Sequence, residues 1–205
     1  MLLLTALACR TPDPPDLVLV LIDTLRQDHL GVYGAAQAGI SPHLDALAKD
    51  SLVFDRAYAS APWTLPSTVT LLTGQYPHAH GVHAQEHDLG REAYTLAERY
   101  QDLGYHTCLV VSNLVLKSRE GLRQGFDEVD DSAARAGWEV TAGEVTDAAL
   151  RCLEHDGPSF ALIHYFDPHD FAGVVCDESS ILKNFDGVTK AAVTEFMRTR
   201  PYRLL

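Results

Sequence analysis

The strongest pattern in the chain is an unbroken apolar run, Leu17-Val18-Leu19-Val20-Leu21-Ile22. Six such residues in a row predict a strand buried on both faces of a parallel sheet. Ser41-Pro42 then signals a helix through Leu44, Leu47 and Ala48, with Ser41 as its cap. Leu52-Val53-Phe54 predicts a short strand. Another helix start follows near Thr64, where Pro66 sits in the first turn and Gly74 ends a threonine-rich stretch. Two capping boxes, Thr95-Leu96-Ala97-Glu98 and Thr141-Ala142-Gly143-Glu144, open two further helices. Gly104 closes the first. Behind the second, Val145, Ala148, Ala149, Cys152 and Leu153 keep helical spacing. Strands over residues 107–111 and 160–166 complete the alternation. The class is α/β, a mostly parallel central sheet flanked by helices.

Composition fits one substantial globular domain: 205 residues, 46% hydrophobic and 21% charged. A formal net charge of −12 argues against nucleic acid and against an anionic membrane surface as partners. An anionic substrate still fits if a metal centre supplies local positive charge. No stretch is long enough for a transmembrane helix. The four cysteines, Cys9, Cys108, Cys152 and Cys176, show no CxxC spacing. Cys108 and Cys152 read as small core residues, and a disulfide framework is not expected.

The ends differ from the middle. Residues 1–9 are apolar and finish in small residues before a cysteine, and a Pro- and Asp-rich stretch follows to residue 16. This is the pattern of a lipoprotein signal and tether, with Cys9 as the lipidated first residue of the mature chain. A plain disordered or cleaved N-terminus is the other reading, since the positive n-region is absent. The lipoprotein reading implies a cell-envelope location and membrane attachment through Cys9. Residues 17–170 form the α/β domain. Residues 171–205 hold four acids and five bases, while the first 170 carry 24 acids and 11 bases. That shift marks 171–205 as a divergent tail.

Two residues carry candidate chemistry. Asp23 directly follows the first buried strand, and ligand groups in parallel sheets gather at the carboxyl ends of strands. It is placed for a metal, or else for a helix N-cap. Thr64 stands where a helix begins, beside unpaired N–H groups and a positive dipole end that suit an oxyanion. It is an N-cap or a nucleophile. A divalent metal shared by Asp23 and Thr64 would lower the alcohol's pKa. Arg26 and Asp28 read as a structural ion pair.

Val20-Leu21-Ile22-Asp23-Thr24-Leu25-Arg26-Gln27-Asp28-His29-Leu30-Gly31, then Ser41-Pro42-His43-Leu44-Asp45 and Ala57-Tyr58-Ala59, resemble the N-terminal part of the sulfatase family in the alkaline-phosphatase superfamily. Thr64-Leu65-Pro66-Ser67-Thr68 followed by Leu71-Leu72-Thr73-Gly74-Gln75-Tyr76-Pro77-His78-Ala79-His80-Gly81-Val82 resembles that family's nucleophile signature. Gly104-Tyr105, Ser112-Asn113, Gln124-Gly125-Phe126-Asp127 and Asp167-Pro168-His169 come in the family's order. The resemblance implies that Asp23 binds metal, that Thr64 is a metal-binding nucleophile and that His169 contacts the transferred group. Asn113 falls near a substrate-contacting position. His80 and His83 read as surface histidines and His164 as a satisfied core histidine.

The departures define the chemistry. A sulfatase matures the Cys or Ser of C/S-x-P-x-R to formylglycine, whereas here Thr64 and Thr68 hold the first and last positions. Threonine cannot give that aldehyde, so no formylglycine is expected and the alkoxide must act directly. Thr24 stands where calcium sulfatases carry a second aspartate, and Lys117 reads as solvated. No later Asp-His-Gly or Asp-Asn segment follows His169, so the family's remaining metal ligands are not matched and the C-terminal part of the domain reads as incomplete. The implied function is metal-dependent hydrolysis or transfer of a sulfate- or phosphate-type ester, the cation being Ca, Zn or Mn. The substrate would be a small molecule or a glycan or lipid ester. Two alternatives stand beside it: a truncated, inactive family fragment, and an anion-binding module that uses the helix start alone.

Overall fold

The computed structural model describes residues 14–36, 39–135 and 141–166. Cys9, His169, Cys176 and the tail 171–205 lie outside the described residues. Among the described residues the sheet has four parallel strands in the order β1-β4-β2-β3: β1 Leu17–Ile22, β2 His106–Val111, β3 Glu128–Asp130 and β4 Ser159–Tyr165. β4 lies between β1 and β2 and is buried at every position. β1 is only partly covered, as one outer strand of this sheet.

Five α-helices lie among the described residues: α1 Pro42–Ala48, α2 Thr64–Thr73, α3 Pro77–His80, α4 Leu96–Asp102 and α5 Ala142–Cys152; all but the short α3 were expected. Both capping boxes form, Thr95 with Glu98 and Thr141 with Glu144. Gly74 ends α2 in the left-handed region at φ 67°, which only glycine adopts without a Cβ penalty.

Alternation along each strand splits the core in two. On one face α5 sets Val145, Ala148 and Ala149 against Val18, Val110, Ala161 and Ile163. On the other, Leu65, Val69 and Leu72 of α2 join Leu19, Leu21, Leu109, Val111 and Leu162. Each such buried leucine contributes about 1.5–3 kcal/mol. This packing fixes the start of α2 above the carboxyl ends of the strands.

Three expectations are corrected and one strand was not expected at all. Leu52-Val53-Phe54 is not a strand: no described strand lies beside it to complete a ladder, and Leu52 and Phe54 stay exposed. β3 went unforeseen because an outer strand reading Glu-Val-Asp carries no apolar run. Ser41 occupies the N-cap position of α1 without capping it. Its hydroxyl instead accepts from the Gly31 N–H (2.8 Å) and donates to Asp45 (2.9 Å), and a Cβ on Gly31 would collide with that Asp45 carboxylate. Cys108 and Cys152 are buried as expected, yet they are joined as a disulfide with their Cα atoms 6.3 Å apart. One sits on β2 and the other in the last turn of α5, so packing of helix on sheet brings together sulfurs that sequence spacing does not relate.

Candidate active site

Three neighbouring strands deliver one polar side chain each to the face that carries α2. The alternation Leu19, Leu21 continues to Asp23; Leu109, Val111 continues to Asn113; and Leu162 is followed by His164. Backbone pairing extends past β1, because the Asp23 N–H donates to the Tyr165 carbonyl at 2.9 Å. Ser112 clamps the end of β4: its hydroxyl contacts the carbonyls of His164 (3.1 Å) and Phe166 (3.2 Å) and accepts from the Phe166 N–H (2.7 Å).

Thr64 completes the group. It is not the N-cap of α2; Trp63 is, with extended backbone and no side-chain cap. Thr64 is the first helical residue, and its hydroxyl donates to Asp23 Oδ2 at 3.0 Å, with Oδ1 at 3.3 Å. Asp23 in turn caps no helix. The next residue, Thr24, turns the chain through the left-handed region at φ 56°. For a β-branched residue that is a true outlier, and such conformations gather at functional sites.

Asn113 is buried and used at both ends: its Nδ2 donates to Asp23 Oδ2 at 2.8 Å, and its Oδ1 accepts from the Val115 N–H at 2.9 Å. Asp23 ionises below the usual carboxylate range. Burial works the other way, but the His164 ring, the Asn113 amide and the Thr64 hydroxyl outweigh it. A carboxylate so stabilised is a good hydrogen-bond acceptor and a poor proton acceptor.

Sequence reasoning missed His164. It is fully buried, with Nε2 3.4 Å from Asp23 Oδ2, and neither ring nitrogen has a hydrogen-bond partner among the described residues. It is therefore not a satisfied core histidine. The available signal was its place at the carboxyl end of a buried strand. A carboxylate, a hydroxyl and an orphaned buried imidazole together form a donor set that fits a divalent cation.

Other residues fall away from this group. His83 is exposed as expected, but His80 is half-buried. Its Nδ1 accepts from the Val82 N–H at 3.1 Å, so Nε2 carries the proton towards Thr70 Oγ1 at 3.1 Å. Burial, helped by the neighbouring His83, lowers its pKa and keeps the ring neutral. Thr68 is buried and bonded to the Thr64 carbonyl at 2.9 Å, so it supplies no charge for an anion. Lys117 is half-buried rather than fully solvated. Arg26 and Asp28 form the expected ion pair, at 2.7 Å, on the surface.

The sulfatase family model matches residues 15–192. N-acetylgalactosamine-6-sulfatase of Rattus norvegicus is 32% identical over 138 residues, covering 60% of this chain and 26% of that protein. An ulvan-active sulfatase of Formosa agariphila is 36% identical over 96 residues, 47% of this chain and 19% of its own length. The chain thus spans about a quarter or less of these relatives. The phosphonate monoester hydrolase of Agrobacterium radiobacter shares the fold at a TM-score of 0.62 and 23% identity, covering 76% of this chain and 41% of that one.

Proposed function

The chain belongs to the sulfatase family, and from that premise we propose that it hydrolyses or transfers sulfate- or phosphate-type esters, with Thr64 as nucleophile and a divalent metal on Asp23 and Thr64. The observation that carries this reading is the Thr64 hydroxyl itself. It opens α2, uncapped by any side chain, and points at a partly buried carboxylate. The relatives named as sulfatases of an aminosugar and of ulvan support a sugar-borne ester as the substrate class. A cell-envelope location, with lipid on Cys9, belongs to the same proposal.

Asp23 and Thr64 would hold the metal, which supplies positive charge that lowers the hydroxyl's pKa. Asp23 orients Thr64 Oγ1 through its hydrogen bond, and Asn113 holds Asp23 in place. Asp23 alone cannot deprotonate an alcohol, because its own pKa is depressed. Thr64 Oγ1 loses its proton to solvent and forms the new bond to sulfur or phosphorus while the bond to the ester oxygen breaks and that oxygen leaves, protonated by water; water, or an acceptor alcohol in transfer, then displaces Thr64 Oγ1 and restores the hydroxyl. The start of α2 faces the negative charge that builds up on the transferred group, and His169 is assigned to contact the same group. Oxidation of the Thr64 side chain would give a ketone, so formylglycine chemistry is not available.

The test is hydrolysis of a nitrophenyl phosphodiester and a nitrophenyl sulfate by the full chain with added Mn2+, Zn2+ or Ca2+. Turnover that Thr64→Ala abolishes supports the proposal. A second reading, an inactive family fragment, is favoured by the single carboxylate among the described site residues. Absent metal binding together with a background rate that Thr64→Ala leaves unchanged would establish it.

A further inference from the structure

An unpaired polar group in a protein core costs about 1–3 kcal/mol, and His164 has two such nitrogens, with no hydrogen-bond partner for either among the described residues. Its backbone is held by the Ser112 clamp and by pairing in the middle of the sheet. The ring can therefore not swing out to find water. Its nearest acidic partner is Asp23, at 3.4 Å. That spacing discriminates between two roles. A charge-assisted N–H···O bond runs about 2.7–2.9 Å. Two donors bound to one ion at about 2.0–2.2 Å and a tetrahedral angle stand roughly 3.4 Å apart.

We propose that His164 Nε2 is a nitrogen donor to the cation held by Asp23 and Thr64, so that the site takes a borderline ion such as Zn2+ or Co2+ in preference to Ca2+. This rests on the metal-binding reading of Asp23 and Thr64. Imidazole suits the late first-row ions, whereas Ca2+ takes only oxygen ligands. As a ligand the ring offers the Nε2 lone pair to the ion, so cation binding at this site displaces any proton from Nε2. His164 comes from a strand interior, unlike Asp23 and Asn113, which follow their strands, and it makes the site mixed in donor type.

The experiment is calorimetric titration of the full chain with Co2+ and, separately, Ca2+, for the wild type, His164→Phe and Asp23→Asn, with a thermal melt on each. The wild type should bind Co2+ more tightly than Ca2+. His164→Phe should weaken Co2+ by about tenfold or more and leave Ca2+ within roughly twofold. Unchanged Co2+ affinity in His164→Phe, with Asp23→Asn losing it, overturns the His164 assignment and leaves the Asp23–Thr64 site standing. If the wild type binds neither ion, the metal reading fails and this proposal with it. If His164→Phe does not fold, spin-echo spectroscopy of the wild type loaded with Cu2+ decides the matter. A histidine-nitrogen coupling that survives His169→Ala supports the assignment, and its absence overturns it.

Discussion

Thr64 Oγ1 and Asp23 Oδ2 lie 3.0 Å apart, 41 residues distant in sequence, one at the first turn of α2 and the other just past β1. The contact exists because Leu65, Val69 and Leu72 seat the helix on the strand face that also carries Leu19 and Leu21. Packing, not a local motif, aims the hydroxyl. Thr64→Ser keeps a hydroxyl there and should retain turnover, while Thr64→Ala should lower kcat about 10³-fold or more. Equal rates for the two variants in steady-state assays would contradict a nucleophilic role.

Asn113 is expected to matter through Asp23. Asn113→Ala strips a 2.8 Å donor from the carboxylate and leaves the Val115 N–H without its acceptor. Stability should fall by about 1–3 kcal/mol in urea denaturation, and divalent-ion affinity should weaken with it. An unchanged unfolding midpoint would show that the amide is not a structural tie.

Thr24 holds a left-handed turn at φ 56° that a β-branched residue resists. Thr24→Gly should raise stability by about 1 kcal/mol, because the strain of such a site is of order 1–3 kcal/mol and part of the gain is offset by glycine's freedom in the unfolded chain. A lower melting temperature in the variant would show that the turn is not strained.

Asp127 gives the pH dependence. Burial acts to raise its pKa, but the Thr107 N–H, the Gln101 amide and the Thr107 hydroxyl outweigh it and hold the carboxyl below the usual range. A depressed folded pKa stabilises the fold above the unfolded value, near pH ~4, and that contribution is lost as pH falls through the folded value. Asp127→Asn should therefore be least stable relative to wild type at neutral pH, with the gap closing between about pH 5 and pH 2. A gap that does not change with pH would rule out this source.

The Cys108–Cys152 bond closes a loop spanning a sequence separation of 44, for which the chain-entropy model gives about 4 kcal/mol. Reduction by a dithiol should lower the melting temperature, and Cys152→Ala should match the reduced wild type. Identical melts with and without reductant would contradict this.

Much of the scaffold was legible because local signals agree with global packing. The apolar run 17–22, the two capping boxes and the glycine stop at Gly74 each specify their element without help from elsewhere. Asp23, Thr64 and Asn113 were legible for the same reason, since each follows or opens a clear element, and the structure brings all three together. His164 was not. In a strand buried on both faces every position is enclosed, so nothing in the pattern says which face a histidine takes. Register settles that, through β4's pairing with β1 and β2. The Cys108–Cys152 pair and the loss of the strand at 52–54 have the same origin, in partners that lie far away in sequence.

A covalent bond between Thr64 and the transferred group is detectable by mass spectrometry of the full chain quenched during turnover of a nitrophenyl phosphodiester with divalent metal present. A transient phosphoryl-type adduct is expected, placed on Thr64 by peptide fragmentation and missing from Thr64→Ala. Turnover without any adduct on Thr64, or with the adduct on another residue, would contradict it.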